Sequence, residues 1–140
     1  MQLSVYALFD GQCHSAMSFY QQVFGGELSL IKVKDSPMQP MFPEALQEQV
    51  LNARLTSAEV DISASDWLHP TEQPTPGNML CLYLRGGSVS RTREVFALLS
   101  AQATVTDPLT EQPFGLYGAL NDNFGVRWMF HASVVYTQNH

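Results

Sequence analysis

Apolar and polar residues alternate along several short stretches of this chain, and two segments between them keep helical spacing. Leu3–Phe9 alternates loosely and stops at Asp10-Gly11, a turn signal, which predicts a strand. Cys13–Phe24 sets Ala16, Tyr20, Val23 and Phe24 on one stripe of a predicted helix, ended by Gly25-Gly26 as a C-cap would end it. Glu27–Lys34 predicts the next strand. Asp35–Gln49 contains Pro37, Pro40 and Pro43 and is expected to be an irregular loop. Val50–Thr56 and Val60–Ala64 predict a hairpin across Ser57-Ala58-Glu59. Asp66–Asn78, with Pro70, Pro74, Pro76 and Gly77, is the strongest linker in the sequence.

The order then repeats. Met79–Leu84 predicts a strand, and Gly86-Gly87-Ser88 a turn in which Ser88 serves as N-cap. Val89–Leu99 is a predicted helix with Val89, Phe96 and Leu99 on its stripe. Three short strands are expected near Ala103–Asp107, Phe114–Leu120 and Val126–His131, with Phe124-Gly125 turning into the last. Both halves thus follow a β-α-β-β-β order, offset by about 76 residues, and such a duplication decides the fold class. The expectation is an α+β fold: two βαβββ modules forming a curved mixed or antiparallel sheet around a cavity. The modules span about 1–66 and 78–133 of a single domain, with 67–77 as the link.

Alternate side chains leave a strand on opposite sides, which assigns faces. Leu80, Leu82 and Leu84 are expected against a helix, leaving Met79, Cys81 and Tyr83 toward the concavity. Leu51, Ala53 and Leu55 take the helix side of the Val50–Thr56 strand, and Asn52 and Arg54 the concave side. Val60, Ile62 and Ala64 go to the core, opposite Asp61 and Ser63. In the final strand Val126, Trp128 and Phe130 are core, with Arg127, Met129 and His131 opposite. Asn52, Arg54, Asp61, Ser63, Cys81, Tyr83, Arg127 and His131 are therefore the candidates for lining a small-molecule pocket. The competing account is a merely wetted sheet face, in which Asp61 pairs with Arg54 across the hairpin.

Composition narrows the partners. The 140 residues are 45% hydrophobic but only 14% charged, below the ~25% usual in globular domains. The deficit is filled by uncharged polar residues, with 11 Gln, 12 Ser and 8 Thr. Seven Lys+Arg against 13 Asp+Glu leave a formal charge of −6, and the cations are not clustered, so nucleic acid is not an expected partner. No apolar run approaches the ~20 residues that span a bilayer, and Met1–Phe9 lacks the cationic start of a secretory signal. Cys13 and Cys81 are too few and too far apart to suggest a disulfide framework or zinc clip. A reduced, cytoplasmic domain is the expectation.

The run Asp10-Gly11-Gln12-Cys13-His14, then Phe19-Tyr20-x-x-Val23-Phe24-Gly25-Gly26, resembles the opening of the vicinal oxygen chelate superfamily, the group of glyoxalase I, bleomycin-resistance proteins and extradiol dioxygenases. Phe114-Gly115-x-Tyr117-Gly118 and Asp122-x-Phe124-Gly125-Val126-Arg127-Trp128-Met129 are similar to the closing signature of its PhnB-like branch. The resemblance runs from Leu3 to about His131 and implies paired βαβββ modules around a cavity, commonly in a homodimer. Some PhnB-like chains are described as ubiquinone-related methyltransferases. That chemistry calls for a Gly-rich cofactor turn after a first parallel strand, and Gly86-Gly87 is only a two-residue turn.

Metal-using members place one ligand on each of four inward strand positions, and the resemblance carries these to Val5, Ser63, Met79 and Met129. A hard divalent ion needs oxygen or imidazole ligands, so no metal cofactor is expected. The function implied is binding of a small organic ligand, as bleomycin-resistance proteins do, with Arg54, Arg127 and His131 suited to a carboxylate or phosphate. The alternative is a lyase, isomerase or dioxygenase of glyoxalase type with a displaced metal on Asp61, His131 and Asn52. A third reading is an interaction module with a vestigial cavity. Cys13 precedes a helix, where an N-terminal dipole can depress a thiol pKa, but with no base nearby in sequence a nucleophilic role is not expected. His14 is expected on the surface, and Trp67 and His69 in the linker as part of a lid or packed on the domain.

Overall fold

The computed structural model describes residues 1–134; His140, the terminal histidine of the sequence, lies outside them. Contacts divide the chain into one unit ending at Thr75 and another beginning at Pro76, inside the expected linker.

The first unit contains β1 (Val5–Phe9), α1 (Cys13–Phe24), β2 (Glu27–Lys32), β3 (Val50–Thr56) and β4 (Asp61–Asp66). Its sheet runs β1-β4-β3-β2, with β1 parallel to β4 and the other pairs antiparallel. The helix forms where the sequence pattern placed it, because Cys13, Ala16, Met17, Tyr20, Val23 and Phe24 recur at three- and four-residue intervals and all become buried. They pack over Ala53, Leu55, Ile62 and Ala64, the buried face of β3 and β4. Gly25 ends the helix, its N–H bonding the Gln21 carbonyl. Gly26 follows at φ +88°, a left-handed conformation, and any Cβ there would run into the Thr56 carbonyl. Between β2 and β3 the proline-bearing loop forms three short 3-10 turns, at Val33–Asp35, Gln39–Met41 and Glu44–Leu46.

One buried carboxylate holds two distant ends of this unit together. Asp66, expected as the first linker residue, is instead the last residue of β4 and only 3% exposed. Its Oδ1 accepts the Cys13 N–H at 2.9 Å, at the start of α1, where Gln12 supplies no side-chain cap. Its Oδ2 accepts the Val50 N–H at 2.8 Å, at the start of β3.

The second unit contains β5 (Leu82–Leu84), α2 (Val89–Leu99), β6 (Thr104–Gln112), β7 (Gly115–Asn121) and β8 (Arg127–Ala132). Its sheet runs β5-β8-β7-β6, and β5 is parallel to β8 as β1 is to β4. The two units therefore repeat one α+β plan: a helix over a four-stranded mixed sheet whose first strand joins the edge of its last. Ser88 caps α2 as expected, its hydroxyl accepting the Arg91 N–H at 3.0 Å. The helix buries Thr92, Val95 and Leu99, so its inner face is rotated from the expected Val89–Phe96–Leu99 stripe. Phe96 meets Phe130 edge-on with centroids 5.0 Å apart, and Gly118 provides the room, since a Cβ there would lie 2.9 Å from the Phe96 ring. Asp122 sets the β7–β8 turn: Oδ1 accepts the N–H groups of Phe124 and Val126, each at 2.9 Å, and Oδ2 accepts Trp128 Nε1–H at 2.9 Å.

Strand boundaries correct the sequence reading: β2 ends at Lys32 and not Lys34, β4 and β8 are shifted by one or two residues, and two differences are larger. β6 continues past the expected Asp107 to Gln112, although it contains Pro108. It is an edge strand, where a missing N–H is tolerated, and its register shifts twice around Asp107. β5 is shorter than expected. Leu80 precedes it, is largely exposed, and does not pack against a helix.

Candidate functional site

The strands that pack one face on a helix leave the other face open, and the candidate residues are distributed over these two open faces. On the first sheet, the row across β1, β4, β3 and β2 is Tyr6, Ser63, Arg54 and Ser29. Arg54 reaches diagonally to Asp61 in a two-pronged pair: Nε donates to Oδ1 at 2.9 Å and Nη2 to Oδ2 at 2.7 Å. The guanidinium hydrogen bond holds the Asp61 carboxyl below its ordinary value against a small opposing effect of burial. Tyr6 Oη donates to Asn52 Oδ1 at 3.4 Å. The Ser63 side chain makes no hydrogen bond among the described residues, although it stands beside both groups. At the rim a cleft of about 580 Å³ is lined by Gln21, Glu27, Ser29, Arg54 and Thr56. The cross-hairpin pairing of Arg54 with Asp61 anticipated from the sequence is therefore formed.

On the second sheet, Tyr83 pairs with Met129, and His131 with Tyr117. Cys81 is half-buried just before β5. Arg127 is engaged by its own unit. Its Nη1 donates to Thr106 Oγ1 at 3.1 Å and to Asn121 Oδ1 at 3.3 Å, and Nη2 lies 3.6 Å from Asp107 Oδ2. His131 Nε2 is 2.9 Å from the Phe114 carbonyl oxygen. A carbonyl only accepts, so Nε2 donates here and the lone pair of the neutral ring lies on Nδ1. The Phe114 ring stacks beside His131 at 6.3 Å and 23°, and meets Tyr117 edge-on at 6.0 Å. An open cleft of about 400 Å³ beside these rings is lined by Asp107, Pro108, Thr110, Gln112, Phe114 and Tyr117.

Several expectations change here. Val5 does not share a face with Ser63; it pairs with Ile62 on the helix side, and Tyr6 is the neighbour of Ser63. Met79 lies outside β5 and is 94% exposed, so it does not occupy an inward strand position. Cys13 is not an activated thiol: burial, and next the nearby Asp66 charge, push it up to about 12. His14 is exposed, as expected. Trp67 and His69 form a turn of their own, in which His69 Nδ1 accepts the Thr71 and Glu72 N–H groups at 3.2 and 2.9 Å. Trp67 Nε1 donates to the Glu72 carbonyl at 2.7 Å.

The positions that the superfamily resemblance assigns to metal ligands do not fit a divalent ion. These positions carry Val5, on the helix side of β1, the Ser63 hydroxyl, the exposed Met79 and the soft Met129 thioether, with no imidazole or carboxylate among them. Two of the substitutes are occupied, Asp61 by Arg54 and Asn52 Oδ1 by Tyr6. Among the described residues, no three His, Cys, Asp or Glu side chains are grouped to hold a metal. No described helix is long and apolar enough to cross a membrane.

Comparison with known proteins agrees with this architecture. The model of the Glyoxalase/Bleomycin resistance protein/Dioxygenase superfamily matches residues 2–130. Protein YjdN of Escherichia coli (strain K12) is 27% identical over 144 residues, covering 94% of this chain and 95% of that protein. The crystal structure of protein PA1353 from Pseudomonas aeruginosa superposes with a TM-score of 0.84 at 28% identity, over 95% of this chain and 98% of that one. A PhnB protein from Bacillus cereus shares the fold at a TM-score of 0.72 and 22% identity, over 95% and 100% of the two chains.

Proposed function

The chain belongs to the Glyoxalase/Bleomycin resistance protein/Dioxygenase superfamily, and on that premise we propose that it binds a small organic molecule without a divalent ion. The observation that carries this reading is the donor set. Where the resemblance places metal ligands, this chain has Val5, Ser63, Met79 and Met129, and the alternatives Asp61 and Asn52 are already bonded to Arg54 and Tyr6. The open faces offer shape, aromatic surface and hydrogen bonds instead of Lewis acidity.

The proposed ligand-contacting residues are Asn52, Arg54, Asp61 and Ser63 on the first sheet, and Cys81, Tyr83, Arg127 and His131 on or beside the second. Both units are proposed to act as one domain joined through 67–77, in a cytoplasmic homodimer. Arg54 and Arg127 contribute orientation more than charge, because each already has a carboxylate partner.

The test is elemental analysis and native mass spectrometry of protein purified without chelators. Substoichiometric metal, together with a small organic mass that dissociates on denaturation, is the expected result. Stoichiometric manganese, iron, nickel or zinc, lost on Asp61→Ala, would overturn the proposal in favour of a displaced metal centre and a glyoxalase-type lyase, isomerase or dioxygenase. Sedimentation showing a monomer at micromolar concentration would remove the homodimer.

A further inference from the structure

We infer that the ligand is an uncharged, planar aromatic compound bound on the ring platform of Phe114 and Tyr117 at the β6–β7 end of the second sheet. This inference rests on the proposal that a small organic molecule is bound; it adds the chemical class and, of the contact residues proposed above, keeps only His131, moving the site to the β6–β7 end.

Charge is the first argument. Every lysine and arginine except Arg85 lies within 3.8 Å of a carboxylate: Lys32 and Lys34 with Glu48, Arg54 with Asp61, Arg91 with Glu94, Arg93 with Glu111 and Arg127 with Asp107. Arg85 follows β5 at a turn and is not on a sheet face. A carboxylate or phosphate arriving at either open face would have to displace a carboxylate already in place. The anionic ligand suggested by Arg54, Arg127 and His131 in the sequence is therefore disfavoured. A cation gains little either, since Asp107, the acid of the cleft, is matched by Arg127 at 3.6 Å.

Aromatic surface is the second argument. Phe114 is 62% exposed, yet it is held in place: its ring stacks on His131, and its carbonyl accepts from that imidazole at 2.9 Å. Tyr117 meets it edge-on. A large apolar ring held rigid and open beside a cleft of about 400 Å³ is a surface ready to receive another ring. Polar edges are supplied by the same cleft. Gln112 Nε2 is spent on Thr110 Oγ1 at 3.1 Å, which leaves the Gln112 carbonyl and the Tyr117 hydroxyl without partners among the described residues. These suit a heteroaromatic edge carrying both a donor and an acceptor.

Three probes with one ring system separate the possibilities: acridine, acridine-9-carboxylate and N-methylacridinium, titrated at pH 8 by fluorescence. Neutral acridine is expected to bind best, with affinity insensitive to salt. Phe114→Ala is expected to weaken it about tenfold, the scale of losing one ring-on-ring contact. Thermal unfolding should fall only slightly in that variant, because the ring is 62% exposed and loses only its contacts with His131 and Tyr117. Amide shifts should concentrate at Thr110, Gln112 and Tyr117. Tightest binding of the carboxylate probe, binding unaffected by Phe114→Ala, shifts confined to the first unit, or no binding of any probe would each overturn the inference. The broader reading stands or falls separately, on whether native protein carries an organic mass.

Discussion

Removing the Asp66 carboxylate by Asp66→Ala tests the structural logic of the first unit most directly. In the native protein its two oxygens accept the Cys13 and Val50 N–H groups at 2.9 and 2.8 Å, and the residue is 3% exposed. Alanine leaves both donors buried without an acceptor, at about 1–3 kcal/mol each. The expected loss is about 2–5 kcal/mol, a large fraction of the ~5–15 kcal/mol that holds a typical domain together. With a urea dependence of roughly 1–3 kcal/mol per molar, the midpoint should fall by about 1–2 M. The assay is urea unfolding followed by circular dichroism and by tryptophan fluorescence, since Trp67 directly follows Asp66 and Trp128 reports on the second unit. Asp10→Ala is the control, because Asp10 is exposed and should move the midpoint by no more than ~0.5 kcal/mol. A loss for Asp66→Ala no larger than that of the control would refute the reasoning: the two N–H groups would then be satisfied another way.

Two further outcomes follow from charge and burial. Cys81 should react with a thiol reagent in the native protein at pH 8, while Cys13, fully buried and with its thiol pushed up to about 12, reacts only on unfolding; equal rates for both would contradict the burial. The Arg54 hydrogen bond holds the Asp61 carboxyl below its ordinary value, so the stability it contributes is complete above the ordinary carboxylate range and is lost as pH falls through the depressed native value. The effect should be small and salt-sensitive, because the pair is exposed. Urea midpoints from pH 7 to 3 should show a steeper acid decline for the native protein than for Asp61→Asn, and parallel curves would count against the pair.

Much of the architecture was legible because half-buried strands write their faces in period two. In β3, β4 and β8 the alternate apolar positions Ala53, Leu55, Ile62, Ala64, Trp128 and Phe130 are buried, so Arg54, Asp61 and His131 fell on the open faces; only the end of β4, where Ser65 and Asp66 are both buried, breaks the period. β1 was misread because Val5, Tyr6, Ala7 and Leu8 are apolar on both sides, and only pairing with β4 decides which side meets the helix. Met79 and Leu80 continue the alternation of β5 beyond its last ladder bond, so pattern alone overextended the strand. Asp66 carried no local signal. Its partners Cys13 and Val50 are remote in sequence, and an acidic residue ahead of a proline-rich stretch reads as the start of a linker. Pairing of the charges on the open faces was likewise legible only in part: the Arg54–Asp61 hairpin pair was visible, whereas Arg127 and Asp107 meet across three strands.

The parallel pairing of first and last strands has a consequence for synthesis on the ribosome. β1 leaves the exit tunnel ahead of β4, and Val5 has no ladder partner until Ile62 follows it out. At ~5–20 residues per second that interval lasts roughly 3–10 s, during which the apolar run Val5–Phe9 remains an unpaired strand. The second unit repeats the arrangement, with Leu82 awaiting Trp128. Each half of the chain thus emerges with its first strand unpaired until the last strand of the same half follows it.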